Sequence, residues 1–268
     1  MKRVSEDIYN RIDNDIYNLE GDKWWETDFS LHLIRTLINP IRVNYAKRIF
    51  DQLEIDYGKK RALEVGCGGG ILTEEIASMG FITTGIDPSE QSLTNAKKHA
   101  KENGLDINYE KGAGENLPFP NNSFDVVFCC DVLEHVCDLP KVISEISRVL
   151  KNEGLFVYDT FNRTTFSKIG TIKIFQEWKR WAIMPPNLHV WEMFIKPEEI
   201  RILLQANHIK WKEHRGAKPN ISFLAMLHYL QKRASGALTY EEFGNKFLMV
   251  ECSSLRNMYI GYGIKKDY

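Results

Sequence analysis

The chain has 268 residues, of which 43% are hydrophobic, 12% aromatic and 26% charged, a composition able to bury a sizeable core without staples. Lysine and arginine number 35 against 36 acidic residues, a net charge of −1, so nothing global argues for wrapping nucleic acid. Its five cysteines (Cys67, Cys129, Cys130, Cys137 and Cys252) form no pair of CxxC motifs. The start lacks the apolar core of a secretory signal, and no run approaches the ~20 apolar residues of a membrane span. A reduced, cytoplasmic protein with buried thiols is the expectation.

In chain order, residues 1–55 read as a helical, aromatic N-terminal cap. Ile34, Leu37, Ile38, Ile41, Tyr45, Ile49 and Phe50 recur at helical spacing as one buried face, and Pro40 either interrupts that helix or starts a new one. Residues 56–163 alternate strands with helices. Arg61–Val65 is a short strand running into Gly66-Cys67-Gly68-Gly69-Gly70, followed by a helix that stops at Gly80. Phe81–Asp87 reads as a strand, Ser89–Asn103 as a helix and Ile107–Tyr109 as a third strand. Phe124–Cys130 gives the strongest strand signal, then come helix Leu139–Leu150 and strand Gly154–Asp159. This alternation predicts an α/β fold with a doubly wound, mostly parallel twisted sheet and helices on both faces. Residues 164–268 belong to the same domain as a substrate-side lid, a helix Lys196–Asn207, a strand Ile209–His214, a helical insertion over 219–250 and a closing strand Met258–Ile264.

Ligands in such sheets sit beyond the carboxyl ends of the strands, where Gly66–Gly70 falls. Glycines allow a sharp turn and close backbone approach, and the following helix offers unpaired N–H groups. Asp87 lies 21 residues after Gly66, at the end of the second strand, where an acid accepts both hydroxyls of an adenosine ribose. The dinucleotide pattern GxGxxG would need glycine where the chain has Ile71, which disfavours an oxidoreductase. The pattern present is Glu64-x-Gly66-x-Gly68-x-Gly70, and Glu64 suits a positively charged part of a ligand better than a phosphate.

This arrangement resembles the GxGxG loop of S-adenosylmethionine-dependent methyltransferases. Gly112-Ala113-Gly114-Glu115-Asn116-Leu117-Pro118 before Phe124–Val127 is similar to the adenine loop and fourth strand of the class I enzymes. Ala113 stands where many members carry an acid, leaving the backbone of Ala113 and Gly114 for adenine. Three further stretches resemble the ubiquinone-biosynthesis O-methyltransferases, which methylate polyprenylated catechols and related phenols. They are Trp24-Trp25 with Leu31-His32 and Ile38–Arg42; Asp131-Val132-Leu133-Glu134-His135-Val136; and His189 with Phe194–Pro197, Asn162-Arg163 also fitting. The likeness covers roughly residues 10–215. It implies a Rossmann-like class I fold, S-adenosylmethionine as cofactor, a small-molecule acceptor and a divalent cation. Asp131 is more often glutamate in that family, and the insertion has no counterpart in it.

The cofactor would be lined by Arg42, Glu64, Gly66, Cys67, Gly68, Asp87, Pro88, Ala113, Gly114, Glu115 and Cys130, with the Arg42 guanidinium gripping its carboxylate. Methylation of a phenol needs an oxyanion, produced by a base or by a divalent cation. Asp131, Glu134 and His135, at i, i+3 and i+4, would share a face on a helical turn and could hold Mg²⁺, Mn²⁺ or Zn²⁺. The bland alternative has the two acids capping a helix while His135 packs under the sheet. His189 is the first choice of base where no metal acts. Trp24 and Trp25 read as the packing edge of a lid that excludes water. Ile172, Ile174, Phe175, Trp178, Trp181, Ile183 and Met184, interleaved with lysines and arginine, suit a lid over the site or, over 166–184, a peripheral membrane contact. N- or C-methylation of a small natural product is the rival chemistry, and a scaffold that binds the cofactor without turnover is the rival class. The oligomeric state is open at this level.

Overall fold

Successive side chains of a strand point to opposite faces, so the central strands feed two apolar layers. Strand β1 (Arg61–Val65) sends Leu63 and Val65 one way and Ala62 the other. Further along the chain, β2 (Ile82–Asp87) and β3 (Ile107–Lys111) precede β4 (Phe124–Cys130), which divides Val127 and Cys129 from Val126, Phe128 and Cys130. In β5 (Leu150–Phe161), Phe156 and Tyr158 part from Leu155 and Val157 in the same manner. The first layer is closed by helices Leu139–Val149 and Pro197–Ala206, the second by helices Asn39–Gln52 and Ile71–Ser78. Cover on both faces is the condition under which parallel strands are stable.

The computed structural model describes residues 4–266 and forms one eight-stranded sheet. With β6 (Ile209–Pro219), β7 (Met249–Cys252) and β8 (Met258–Lys265), the order is β3-β2-β1-β4-β5-β8-β6-β7. The first five strands pair in parallel and the last three join antiparallel. The winding reverses between β1 and β4, which opens a crevice beyond their carboxyl ends. Met1–Arg3, the first residues of the expected cap, lie outside the described residues.

Most expected elements occur with ends shifted by a few residues. β5 starts earlier, at Leu150, and β6 runs on to Pro219, where it pairs with the unforeseen edge strand β7. The insertion forms two helices, Phe223–Ala234 and Tyr240–Phe247, each with a serine or threonine N-cap (Ser222 and Thr239).

The N-terminal region departs further from expectation. Its only long helix among the described residues is Asn39–Gln52, preceded by short turns and a π-helical segment Ile34–Ile38. Pro40 has no N–H to give and its ring crowds the carbonyl four residues back, so the turn before it widens and the Asn39 N–H reaches back to the Ile34 carbonyl. That extra residue turns the expected stripe apart. Ile38, Ile41, Tyr45, Ile49 and Phe50 pack toward the sheet, Leu37 joins Phe243 and Phe247 of the insertion, and Ile34 joins Trp24.

Candidate active site

A cavity of about 350 Å³ occupies the crevice, and every residue expected to line the cofactor borders it. Backbone sterics explain the glycine loop at its floor. Gly66 and Gly68 have positive φ values of 75° and 50°, and a Cβ on Gly66 would stand 2.2 Å from Val132. Asp87 is buried, and its two oxygens accept N–H bonds from Gly68 (2.9 Å) and Ser89 (2.8 Å). Each oxygen keeps a lone pair for a ligand hydroxyl. Burial lifts this carboxyl to about 6, while the two N–H bonds pull the other way. Glu64 is buried beside Thr73, whose hydroxyl donates to it, and desolvation lifts it to about 8. A desolvated carboxyl here is the complement of a cationic ligand group. These residues fit S-adenosylmethionine.

Cys67 and Cys130 border the cavity with thiols that burial raises well above the ordinary range, so they act as small apolar walls. In the loop 112–116 the Ala113 carbonyl accepts from the Asn116 N–H (3.1 Å), and a Cβ on Gly114 would stand 3.2 Å from Val65 and 3.3 Å from Val142. Pro88 and Glu115 complete that side.

Arg42 reaches the cavity but is already engaged. Its Nε and Nη2 grip the buried Asp159, Nη2 at 3.0 Å, and Nη2 also stands 3.5 Å from Asp131. The Nε and Nη2 edge of the guanidinium thus holds an acid at the end of β5, so Arg42 orders the carboxylate cluster while still bordering the cavity. Asp159 in turn accepts the backbone N–H of Asp131 (2.9 Å).

The segment after β4 is a turn rather than a helix, because Asp131 adopts φ 59°. The ligand set expected from spacing changes accordingly. Asp131 and Glu134 come together with His189, not His135, with ligand atoms all within 4.8 Å of one another. Glu134 Oε2 accepts from Thr160 Oγ1 (2.9 Å), while its Oε1 and the Nδ1 of His189 are buried without a partner. Burial first, and the adjacent Asp131 charge second, push Glu134 well above the usual carboxylate range. Two orphaned polar atoms, one from a carboxylate and one from an imidazole, beside the second carboxylate of Asp131 are a donor set suited to a divalent cation. His189 is depressed to about 3 by burial, and its backbone N–H and carbonyl are both held by the Gln176 amide, at 2.8 and 3.0 Å.

His135 serves the cap. Its Nδ1 lies 3.2 Å from Asn14 Oδ1, its carbonyl accepts from Asn14 Nδ2, and its ring meets Tyr17 and His189 edge-on. Burial, then the neighbouring His189, depress it to about 3. Above the glycine loop, Trp24 stacks with Tyr17 and donates to Ser92 Oγ (2.9 Å), while Trp25 Nε1 donates to the Gly69 carbonyl (2.9 Å) and its ring stacks on His99. A Cβ on Gly69 would collide with Trp24 at 2.2 Å. Trp24, Tyr17 and Asn14 thus roof the cavity. Arg163 donates to the Phe194 carbonyl (3.0 Å) and Asn162 to that of Leu255 (2.6 Å), tying the stretch beyond β5 to the closing elements.

Sequence reasoning missed Asp159, Thr160, Gln176, Asn14 and Tyr17. The first two stand at the carboxyl end of β5, where the rule that located Gly66 also applies; the others carry no local signal.

The Methyltransferase domain family matches residues 63–158. The ubiquinone biosynthesis O-methyltransferase of Haemophilus ducreyi is 38% identical over 198 residues, covering 72% of this chain and 81% of that protein. The enzyme of the same name from Pelagibacter ubique is 31% identical over 218 residues, covering 79% and 89%. A solved SAM-dependent methyltransferase from Thermotoga maritima shares the fold at TM-score 0.58 and 18% identity, covering 98% of this chain and 100% of that one. With the cofactor crevice and these relatives in view, the chain is an S-adenosylmethionine-dependent methyltransferase and belongs to the ubiquinone biosynthesis O-methyltransferase family.

Proposed function

We propose that the protein O-methylates a phenolic or catecholic small molecule of the quinone-precursor type. The observation that carries the reading is the cluster of Asp131, Glu134 and His189, which meets the cofactor cavity at Asp131 and has two buried polar atoms awaiting a partner. The relatives' name supports the acceptor class.

S-adenosylmethionine supplies a methyl group already electrophilic on a sulfonium, so the chain's tasks are alignment, exclusion of water and generation of an oxyanion. Trp24 and Tyr17 cover the cavity and keep water from it. A divalent cation held by Asp131, Glu134 and His189 would stabilise a phenolate as a Lewis acid; Mg²⁺, Mn²⁺ and Zn²⁺ all suit these donors. Without a cation, His189 or Glu134 would take the phenol proton, burial pushing the imidazole down and the carboxyl up. Arg42 holds Asp159, and through it the Asp131 backbone, in register for either route.

The segment 166–184 supports a second role beside holding the His189 backbone through Gln176. Ile172 and Ile183 are buried and Phe175, Trp181 and Met184 pack on the insertion, whereas Phe166, Ile169 and Trp178 are exposed among lysines. That outward set fits peripheral contact of a cytoplasmic enzyme with an anionic membrane surface. No helix among the described residues is long and apolar enough to cross a membrane.

The test is turnover of radiolabelled S-adenosylmethionine with a catechol panel, with and without EDTA. Label in the ether product, lost on chelation and restored by a divalent ion, supports the full reading. Transfer only to amines or carbon acids overturns it.

A further inference from the structure

Asn39 is 3% exposed, and neither its amide nitrogen nor its carbonyl oxygen has a hydrogen-bond partner. A side chain that can donate twice and accept twice is costly to bury empty, and its conformation needs another reason. Its place in the fold supplies one. The π turn closes through the Asn39 N–H on the Ile34 carbonyl, which brings Asn39 round to the side of Ile34, and Arg42 follows three residues later on the same helix. Ile34 and Arg42 both border the cofactor cavity. The other sides of this segment are already taken. Ile38, Ile41 and Tyr45 face the sheet, while Leu33 and Leu37 pack on the insertion, and Thr36 is the side chain a Cβ on Gly244 would strike. Asn39 therefore lies between two cavity residues along this segment, and like Glu134 and His189 it keeps buried polar atoms unspent.

Resting on the reading of a phenolic acceptor, we propose that Asn39 is an acceptor-binding residue. Its amide would donate to one oxygen of a catechol-type ring and accept from the neighbouring hydroxyl, fixing which oxygen meets the methyl group. The π turn has a use in this scheme, since a regular helix would rotate Asn39 off the side of Ile34.

The experiment compares wild type with Asn39→Leu, which keeps the volume, and Asn39→Ala, which shortens it. Melting temperature, S-adenosylhomocysteine affinity by calorimetry, and KM and kcat with a catechol are measured for each. The expected result is a melting temperature equal to or above wild type for Asn39→Leu, cofactor-product affinity unchanged within about twofold, and KM for the catechol raised tenfold or more in both variants. If both variants lose melting temperature and cofactor-product affinity together, Asn39 is a structural residue and the inference falls. Unchanged KM in either folded variant, with wild type active on catechols, removes the inference and leaves the function standing. A wild type that binds and methylates no catechol removes both.

Discussion

Glu134 and His189 each bring a ligand atom within 4.8 Å of the other, and each keeps one buried polar atom with no partner. A purely structural pair would have used those atoms on one another or on the backbone, because an unsatisfied buried group costs about 1–3 kcal/mol. Their pairing predicts that Glu134→Gln lowers kcat by about 100-fold or more while S-adenosylhomocysteine affinity stays within about twofold. Steady-state kinetics with calorimetry decides it, and equal losses in binding and turnover would move Glu134 into the cofactor site.

Glu64 makes cofactor binding a proton-linked event. Its folded value near 8 is above the ordinary 4.5, so the folded protein prefers the protonated carboxyl. That contribution to stability is present below about 4.5 and is lost as pH rises through 8. At pH 7 the group is roughly nine-tenths protonated, and a ligand ammonium favours the ionised form. S-adenosylhomocysteine should therefore release a proton on binding at pH 7 and bind more tightly as pH climbs toward 8. Calorimetry in buffers of different ionisation enthalpy measures the release, and Glu64→Gln should abolish it. Asp87→Ala should weaken the same ligand at least tenfold, about 1.4 kcal/mol.

Gly69→Ala tests the cap. The new methyl meets Trp24 within 2.2 Å, so the indole must move away from the loop. A loss of about 1–3 kcal/mol in stability is expected. Faster release of the bound cofactor product in stopped flow should accompany it. Stability and release rate both equal to wild type would mean that Trp24 does not rest on the loop.

The membrane contact is tested by changing Phe166, Ile169 and Trp178 together to serine. Deleting 166–184 would be uninformative, since it removes Gln176 and with it the support of His189. The triple variant should keep its melting temperature and catechol turnover yet lose co-sedimentation with anionic vesicles. Retained co-sedimentation would exclude this surface.

The sheet and the cofactor crevice were legible in the sequence because their signals are local. Val126 to Cys130 alternate between two layers, the Gly66–Gly70 loop follows a strand, and Asp87 ends the next one. The cluster of Asp131, Glu134 and His189 was less legible because its geometry depends on contacts between remote segments. The left-handed Asp131 breaks the helical turn that spacing implies, and His189 replaces His135 only through the path of the chain beyond β5. Arg42 borders the cavity as expected, but its bond to Asp159 could not be read, since nothing near it in sequence announces that partner. The π turn at Asn39 follows from Pro40 once the preceding helix is known to continue, but periodicity alone reads straight across it.

The single amide of Gln176 holds the backbone of His189 by both its hydrogen-bonding groups, and Gln176 belongs to the same outer segment as Phe166 and Trp178. A displacement of Gln176 would therefore be felt by the imidazole beside Glu134 and Asp131, which makes this outer segment a remote determinant of the geometry of the carboxylate–histidine cluster.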